Sequence, residues 1–244
     1  MFNAKKVCCD LVKWVQNWFK INGKGCKAVV GISGGKDSSV VAALLVKALG
    51  KENVVGVLMP CGEQHDINYA RDLVSALNIQ SYEINIKKMI DALWEEVGKS
   101  VKSSLVATTN APPRVRMTVL YALSQSINGR VANTCNLSED WVGYSTRYGD
   151  SVGDFSPLSN LTVTEVKELG RYLGLDEKFI VKPPIDGLSG KTDEDNLGFT
   201  YDELDNYIRY NILPPADKKE KIDALHKRNL FKLKLMDSFP YKPE

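Results

Sequence analysis

The sequence predicts an α/β fold, a doubly wound and mostly parallel sheet flanked by helices. Three observations lead there. Short bursts of strand formers recur at residues 28–32, 54–59, 81–86 and 130–132. Stretches of helical period lie between or beside them, at 38–49, 67–77, 87–97 and 114–127. A turn with two adjacent glycines, Gly34 and Gly35, joins the first burst to the first helical stretch. Such alternation is the signature of right-handed βαβ units around a parallel sheet.

Taken in order, residues 1–20 are amphipathic and carry Lys5, Lys6, Asp10 and Lys13, which reads as a helix and is unlike the unbroken apolar core of a secretory leader. Ala28, Val29 and Val30 make the first strand, and the glycines permit positive φ or close backbone approach before the helix at 38–49. Two segments lack periodicity and are expected to be mobile loops: 99–113, which ends in Pro-Pro, and 186–200, with Gly187, Gly190 and Gly198. Beyond them, 201–211 and 216–232 are expected to be helices parted by Pro214 and Pro215, a small appendage on one domain spanning 1–244.

Composition narrows the function classes. With 43% hydrophobic residues in 244, the chain can bury a substantial core. Against 30 acidic residues stand 32 basic ones, so no global positive field points to nucleic acid or an anionic membrane. No apolar run approaches the roughly 18 residues a membrane span needs. The cysteines (Cys8, Cys9, Cys26, Cys61, Cys135) are odd in number and show no C-x-x-C pairing, which fits a cytoplasmic location. Cys8 and Cys9 read as packing residues, and Cys61 and Cys135 follow predicted strands.

The stretch 29–39, VVGISGGKDSS, carries the chemistry. A tight turn feeding a helix N-terminus leaves amide N–H groups free for an anion. Three residues, not four, separate Gly31 from Gly35, and an aspartate follows the lysine, so this is not a Walker loop; the dinucleotide G-x-G-x-x-G register fails as well. A polyphosphate can be held there by backbone amides and by the hydroxyls of Ser33, Ser38 and Ser39. A carboxylate would repel it, so Asp37 makes sense chiefly as a ligand for Mg²⁺.

The string S-G-G-K-D-S resembles the signature loop of ATP pyrophosphatases, which split ATP between its α and β phosphates. The blocks at 110–123 (NAPPRVRMTVLYAL) and 130–158 (RVANTCNLSEDWVGYSTRYGDSVGDFSPL) extend the resemblance to the NAD synthetases, over roughly residues 26–229. No room exists before Cys26 for the amidase domain of glutamine-using versions, so the chain is similar to the ammonia-dependent form. The resemblance implies ATP on Gly31, Ile32, Ser33, Gly34, Gly35, Lys36, Asp37, Ser38 and Thr134. It implies Mg²⁺ between Asp37 and Glu139, both also expected to be catalytic. Nicotinic acid adenine dinucleotide would lie on Arg114, Arg147, Asp154, His226 and Lys227, with Arg116 assisting, and a lid over 182–184 and 191–198. It further implies a homodimer, to which the N-terminal helix, residues 140–144, or Met117, Leu120 and Tyr121 could contribute.

Three departures stand out. Arg147 replaces a frequent lysine, Val163 stands where a lysine usually reaches ATP, so that either Lys167 or Arg171 substitutes or the contact is absent, and Ile185 replaces a threonine. Lys36 is shared with RNA-modifying pyrophosphatases, which gives the alternative reading, a tRNA-modifying enzyme.

Overall fold

The computed structural model describes residues 2–181, 192–234 and 236–243. From the N-terminus run α1 (Ala4–Asn22), β1 (Lys27–Gly31), α2 (Lys36–Leu49), β2 (Val54–Leu58), α3 (Ile67–Leu77), β3 (Gln80–Glu83), α4 (Lys87–Gly98), α5 (Leu105–Ser126) and β4 (Gly129–Ala132). The remaining helices are α6 (Leu137–Val142), α7 (Val163–Tyr172), α8 (Glu177–Ile180), α9 (Asp193–Leu197), α10 (Tyr201–Tyr210) and α11 (Ala216–Asn229). The strands form one parallel sheet in the order β3-β2-β1-β4, with Ala28 opposite both Val54 and Arg130.

That order positions the site. From β1 the chain moves to β2 on one side, and later returns to β4 on the other. The loops that follow β1 and β4 therefore part at a switch point, where open parallel sheets leave a crevice beyond the strand ends.

Side chains alternate across the pleat, so both faces of the central strands are buried. Ala28, Val30, Val54 and Leu58 pack with Val40, Val41 and Leu45 of α2, Leu73 of α3, and Val166 and Leu169 of α7. Val29, Val55, Val57 and Val131 point the other way, onto Ile90 of α4 and Met117 and Leu120 of α5. The inner face of α1, with Cys8, Val15 and Phe19, closes the first layer; Cys9, its neighbour, is exposed and does not pack. A third cluster of Val142, Val163, Phe199, Tyr201, Leu204 and Ile222 joins the C-terminal helices to α6 and α7.

Several boundaries differ from expectation. The segment 99–113 is not all loop, because α5 starts at Leu105 and runs through Pro112 and Pro113. Ser104 caps it, and the helix buries Ala111, Met117, Val119 and Leu120, which offsets the two missing N–H donors. Met117 and Leu120 thus belong to the core and are not open to a second subunit. Within 186–200, a capping box of Thr192 and Asp195 starts α9, and Gly198 ends it at φ 77°. Ile185, the 182–184 block and residues 186–191 lie outside the described residues. The third strand ends at Glu83, yet the Ile84 and Ile86 N–H groups still donate to Leu58 and Pro60 carbonyls at 2.8 Å.

Candidate functional site

The loop after β1 is built around one glycine. Gly34 has φ 77°, and a Cβ there would stand 2.8 Å from Tyr69 Cβ and 2.9 Å from the Ala70 amide nitrogen. Gly35 has φ −88° and ψ 168°, extended backbone that any residue adopts, so the left-handed demand falls on Gly34. Gly35 is also the N-cap of α2, and no side chain caps that end. The serines tie the loop to itself: Ser33 Oγ lies 3.1 Å from Ser38 Oγ and accepts the Gly35 N–H, while Ser38 and Ser39 hydroxyls donate to the Gly35 carbonyl at 3.1 and 2.8 Å. Cap-free first-turn amides at the positive end of a 14-residue helix form a seat for an anion.

Beside this seat the two predicted acids meet. Lys36 Nζ lies 2.8 Å from Asp37 Oδ2 and 3.3 Å from Glu139 Oε1, joining the α2 start to α6. Asn136, fully buried, holds the arrangement: its Nδ2 donates to Asp37 Oδ1 at 2.9 Å, and its Oδ1 accepts the Glu139 N–H at 3.0 Å as the N-cap of α6. Sequence reasoning passed over Asn136. Its signal was available, since Asn three residues before Glu139 is a helix-start pattern.

Electrostatics follow from burial. Burial pushes the Glu139 carboxyl up to about 8, with the Asp37 charge adding to the rise and Lys36 pulling the other way. For Lys36 burial opposes the charge, but Asp37 and Glu139 outweigh it and hold the ammonium protonated. The aromatic ring of Tyr201 lies 5.6 Å from that ammonium, and its hydroxyl donates to Asp193 Oδ2 at 3.3 Å. Burial raises Asp193, while Tyr144 and Lys36 pull it down. Asp193 belongs to α9 and was not among the predicted site residues. No group of three or more potential metal ligands of the His, Cys, Asp and Glu types occurs among the described residues. A carboxylate pair is the donor set that suits Mg²⁺, which takes one or two carboxylates and completes its shell with phosphate oxygens and water.

Thr134 follows β4 and is half-buried in the same turn as Asn133 and Asn136. Cys135 beside it is buried, with its thiol pushed well up by burial, and donates to the Asp150 carbonyl; it is no ready thiolate.

The expected dinucleotide residues fall into separate groups. Arg114 Nε donates to the Arg147 carbonyl at 3.3 Å, and the Arg147 guanidinium lies 4.9 Å from the Tyr148 ring and 5.1 Å from that of Phe231. Arg116 Nε donates to the Met59 carbonyl at 3.0 Å. Asp154 Oδ2 accepts the Val131 N–H at 2.7 Å at the edge of β4, and Oδ1 accepts the Tyr121 hydroxyl. His226 stacks on Trp141 with ring centroids 4.0 Å apart, its Nδ1 2.8 Å from the Trp141 carbonyl oxygen, and Lys227 is exposed. Val163 is buried in the third cluster; Arg171, one candidate to replace a lysine there, pairs with Glu177 on the surface.

A parallel α/β sheet with an uncapped helix start and an acid pair at its switch point has the architecture of the α/β nucleotide-binding class. The NAD synthase family profile matches residues 7–237. The NH(3)-dependent NAD(+) synthetase of Finegoldia magna is 39% identical over 243 residues, 98% of each chain. That of Methanococcus aeolicus is 42% identical over 206 residues, 83% of this chain and 79% of the relative. Among solved structures, NMN synthetase from Francisella tularensis matches with TM-score 0.90 and 34% identity, covering 99% of this chain and all of that one. The NH3-dependent NAD synthetase of Campylobacter jejuni, in complex with the nitrate ion, matches with TM-score 0.80 and 30% identity, covering 98% and 100%. The chain belongs to the NAD synthase family. The tRNA-modifying alternative finds no support in these relatives.

Proposed function

We propose that this ligase joins ammonia to the carboxyl group of nicotinic acid adenine dinucleotide at the expense of ATP, giving NAD, AMP and pyrophosphate. The observation that carries the reading is the meeting of Asp37 and Glu139 at Lys36, beside the uncapped N-terminus of α2. In the first step the nicotinate carboxylate attacks the α-phosphorus, the bond to the β-phosphate bridging oxygen breaks, and pyrophosphate leaves. Ammonia then attacks the acyl carbon, AMP departs, and one proton goes to solvent.

The chain's residues act by position and charge. Amides of 36–38 and hydroxyls of Ser33 and Ser38 receive the leaving pyrophosphate, with Thr134 facing ATP from the β4 side. Asp37 and Glu139 would hold Mg²⁺, which neutralises phosphate charge when bound. Asn136 fixes the Asp37 carboxylate through its amide hydrogen bond. Arg114, Arg147, Asp154, His226 and Lys227 are the proposed acyl-substrate contacts. No described helix is long and apolar enough to cross a membrane; the location we propose is cytoplasmic. We also propose a homodimer; exposed Leu105 and Val106 on α5 and Phe231, Met236 and Phe239 near the C-terminus give it apolar surface to use.

A second reading keeps the chemistry and exchanges the acid for nicotinic acid mononucleotide. The TM-score of 0.90 to the Francisella NMN synthetase, against 0.80 to the Campylobacter NAD synthetase, favours it. Pyrophosphate release with ATP, ammonium and Mg²⁺, with each acid supplied in turn, decides. Turnover of the dinucleotide alone supports the first reading, turnover of the mononucleotide alone the second, and release that needs neither acid refutes both.

A further inference from the structure

Lys36 is the first residue of α2, and at 5% exposure its side chain is enclosed. A buried ammonium needs acid partners, and this one touches two carboxyl groups, Asp37 Oδ2 at 2.8 Å and Glu139 Oε1 at 3.3 Å. Those two residues are the ones assigned above to the metal. The Tyr201 ring lies 5.6 Å from Nζ, and its hydroxyl donates to Asp193. Within this cluster Lys36 is the cation in contact with both acids. An ammonium already in contact with one oxygen of each carboxylate repels a divalent ion entering the same pair, so the two cations compete for it.

We infer that Lys36 is a resident counter-ion that holds the metal position in the nucleotide-free enzyme and leaves it when a polyphosphate arrives on the adjoining loop, so that divalent metal and nucleotide enter together. The loop offers the ammonium its alternative partner. A nucleotide diphosphate against the first-turn amides of α2 would bring negative charge beside the residue that starts the helix, and the flexible lysine stem lets Nζ exchange carboxylate for phosphate oxygens without moving the backbone. The carboxylates freed by that exchange receive the metal. Nucleotide-free enzyme is thereby kept from filling its acid pair with a stray divalent ion. By linkage, metal and nucleotide each raise the other's affinity by the same factor.

The inference rests on the assignment of the metal to Asp37 and Glu139, and the test separates the two. Mn²⁺, followed by electron paramagnetic resonance of the free ion, is titrated into nucleotide-free wild type, Lys36→Met and Asp37→Asn. Removing the ammonium should tighten Mn²⁺ binding by at least about tenfold, since close charges in a partly buried site interact strongly. Mg²⁺ should raise the melting temperature of Lys36→Met more than that of wild type, a gain that a merely structural lysine would not produce. If Lys36→Met does not fold, Lys36→Gln, which retains a donor without the charge, replaces it. Equal Mn²⁺ affinity in wild type and the Lys36 variant overturns the counter-ion role, and if Asp37→Asn still weakens binding, the metal assignment stands. Mn²⁺ affinity that is indifferent to Asp37→Asn overturns the metal assignment and the inference with it.

Discussion

Asn136 offers the sharpest test of how the site is built, because one buried side chain does two separable things. Its oxygen caps α6 by accepting the Glu139 N–H at 3.0 Å, and its nitrogen donates to Asp37 Oδ1 at 2.9 Å. Asn136→Ala removes both. Loss of a cap costs about 0.5–2 kcal/mol, and loss of a hydrogen bond to a charged group about 1.5–3 kcal/mol. The expected destabilisation is therefore about 2–5 kcal/mol, or a fall in melting temperature of roughly 4–20 °C for a chain of this size. Asn136→Ser retains a capping oxygen but lacks the reach to Asp37, so it should recover the cap share and leave the carboxylate unsupported. Melting by differential scanning calorimetry gives the first quantity, and the Mg²⁺ dependence of pyrophosphate release gives the second. Serine should restore stability more than it restores the magnesium half-point. If Asn136→Ala melts within about 1 °C of wild type, far below the roughly 4 °C that the smallest combined loss implies, and neither variant alters the magnesium titration, then Asn136 neither caps nor orients.

Gly34→Ala places a Cβ 2.8 Å from Tyr69 Cβ at a positive φ, so α3 must shift; ATP binding by calorimetry should weaken by at least about tenfold, following about 1–2 kcal/mol of conformational strain plus the clash. Gly35→Ala, at an extended φ and with only Ser33 Oγ near its Cβ, should be milder, and equal losses would remove the distinction between the two glycines. Glu139 is held near 8 in the folded chain against about 4.5 unfolded, so the native state binds the extra proton in between; its contribution is full below the lower value and is lost as pH rises through 8. Wild type should accordingly lose up to about 1.4 kcal/mol per pH unit between 5 and 8 relative to Glu139→Gln, read from urea midpoints at each pH, and parallel profiles would refute the shift. Asp205, which is buried and accepts from Ser138 Oγ, Thr164 N–H and Thr164 Oγ1, pins α10 to α6 and α7; Asp205→Ala should lower the melting temperature, and an unchanged value would show that those bonds contribute nothing net.

What the sequence determined by itself is local in character. Strand bursts, helix period and the glycine turn depend on φ, side-chain spacing and burial periodicity, all of which operate over a few residues. The loop from Gly31 to Ser38 was legible for that reason, as were the strands and the C-terminal helices. The start of α5 was not, because proline propensity speaks against a helix that only the burial of Ala111, Met117, Val119 and Leu120 sustains. The tertiary structure alone decided what meets across the switch point. Asn136 linking Asp37 to α6, Lys36 shared between two acids, and Tyr201 reaching over from α10 are contacts between segments distant in the chain. No pattern along the chain encodes such distances. They arise because β1 and β4 lie side by side in the sheet and deliver both of their loops to one crevice.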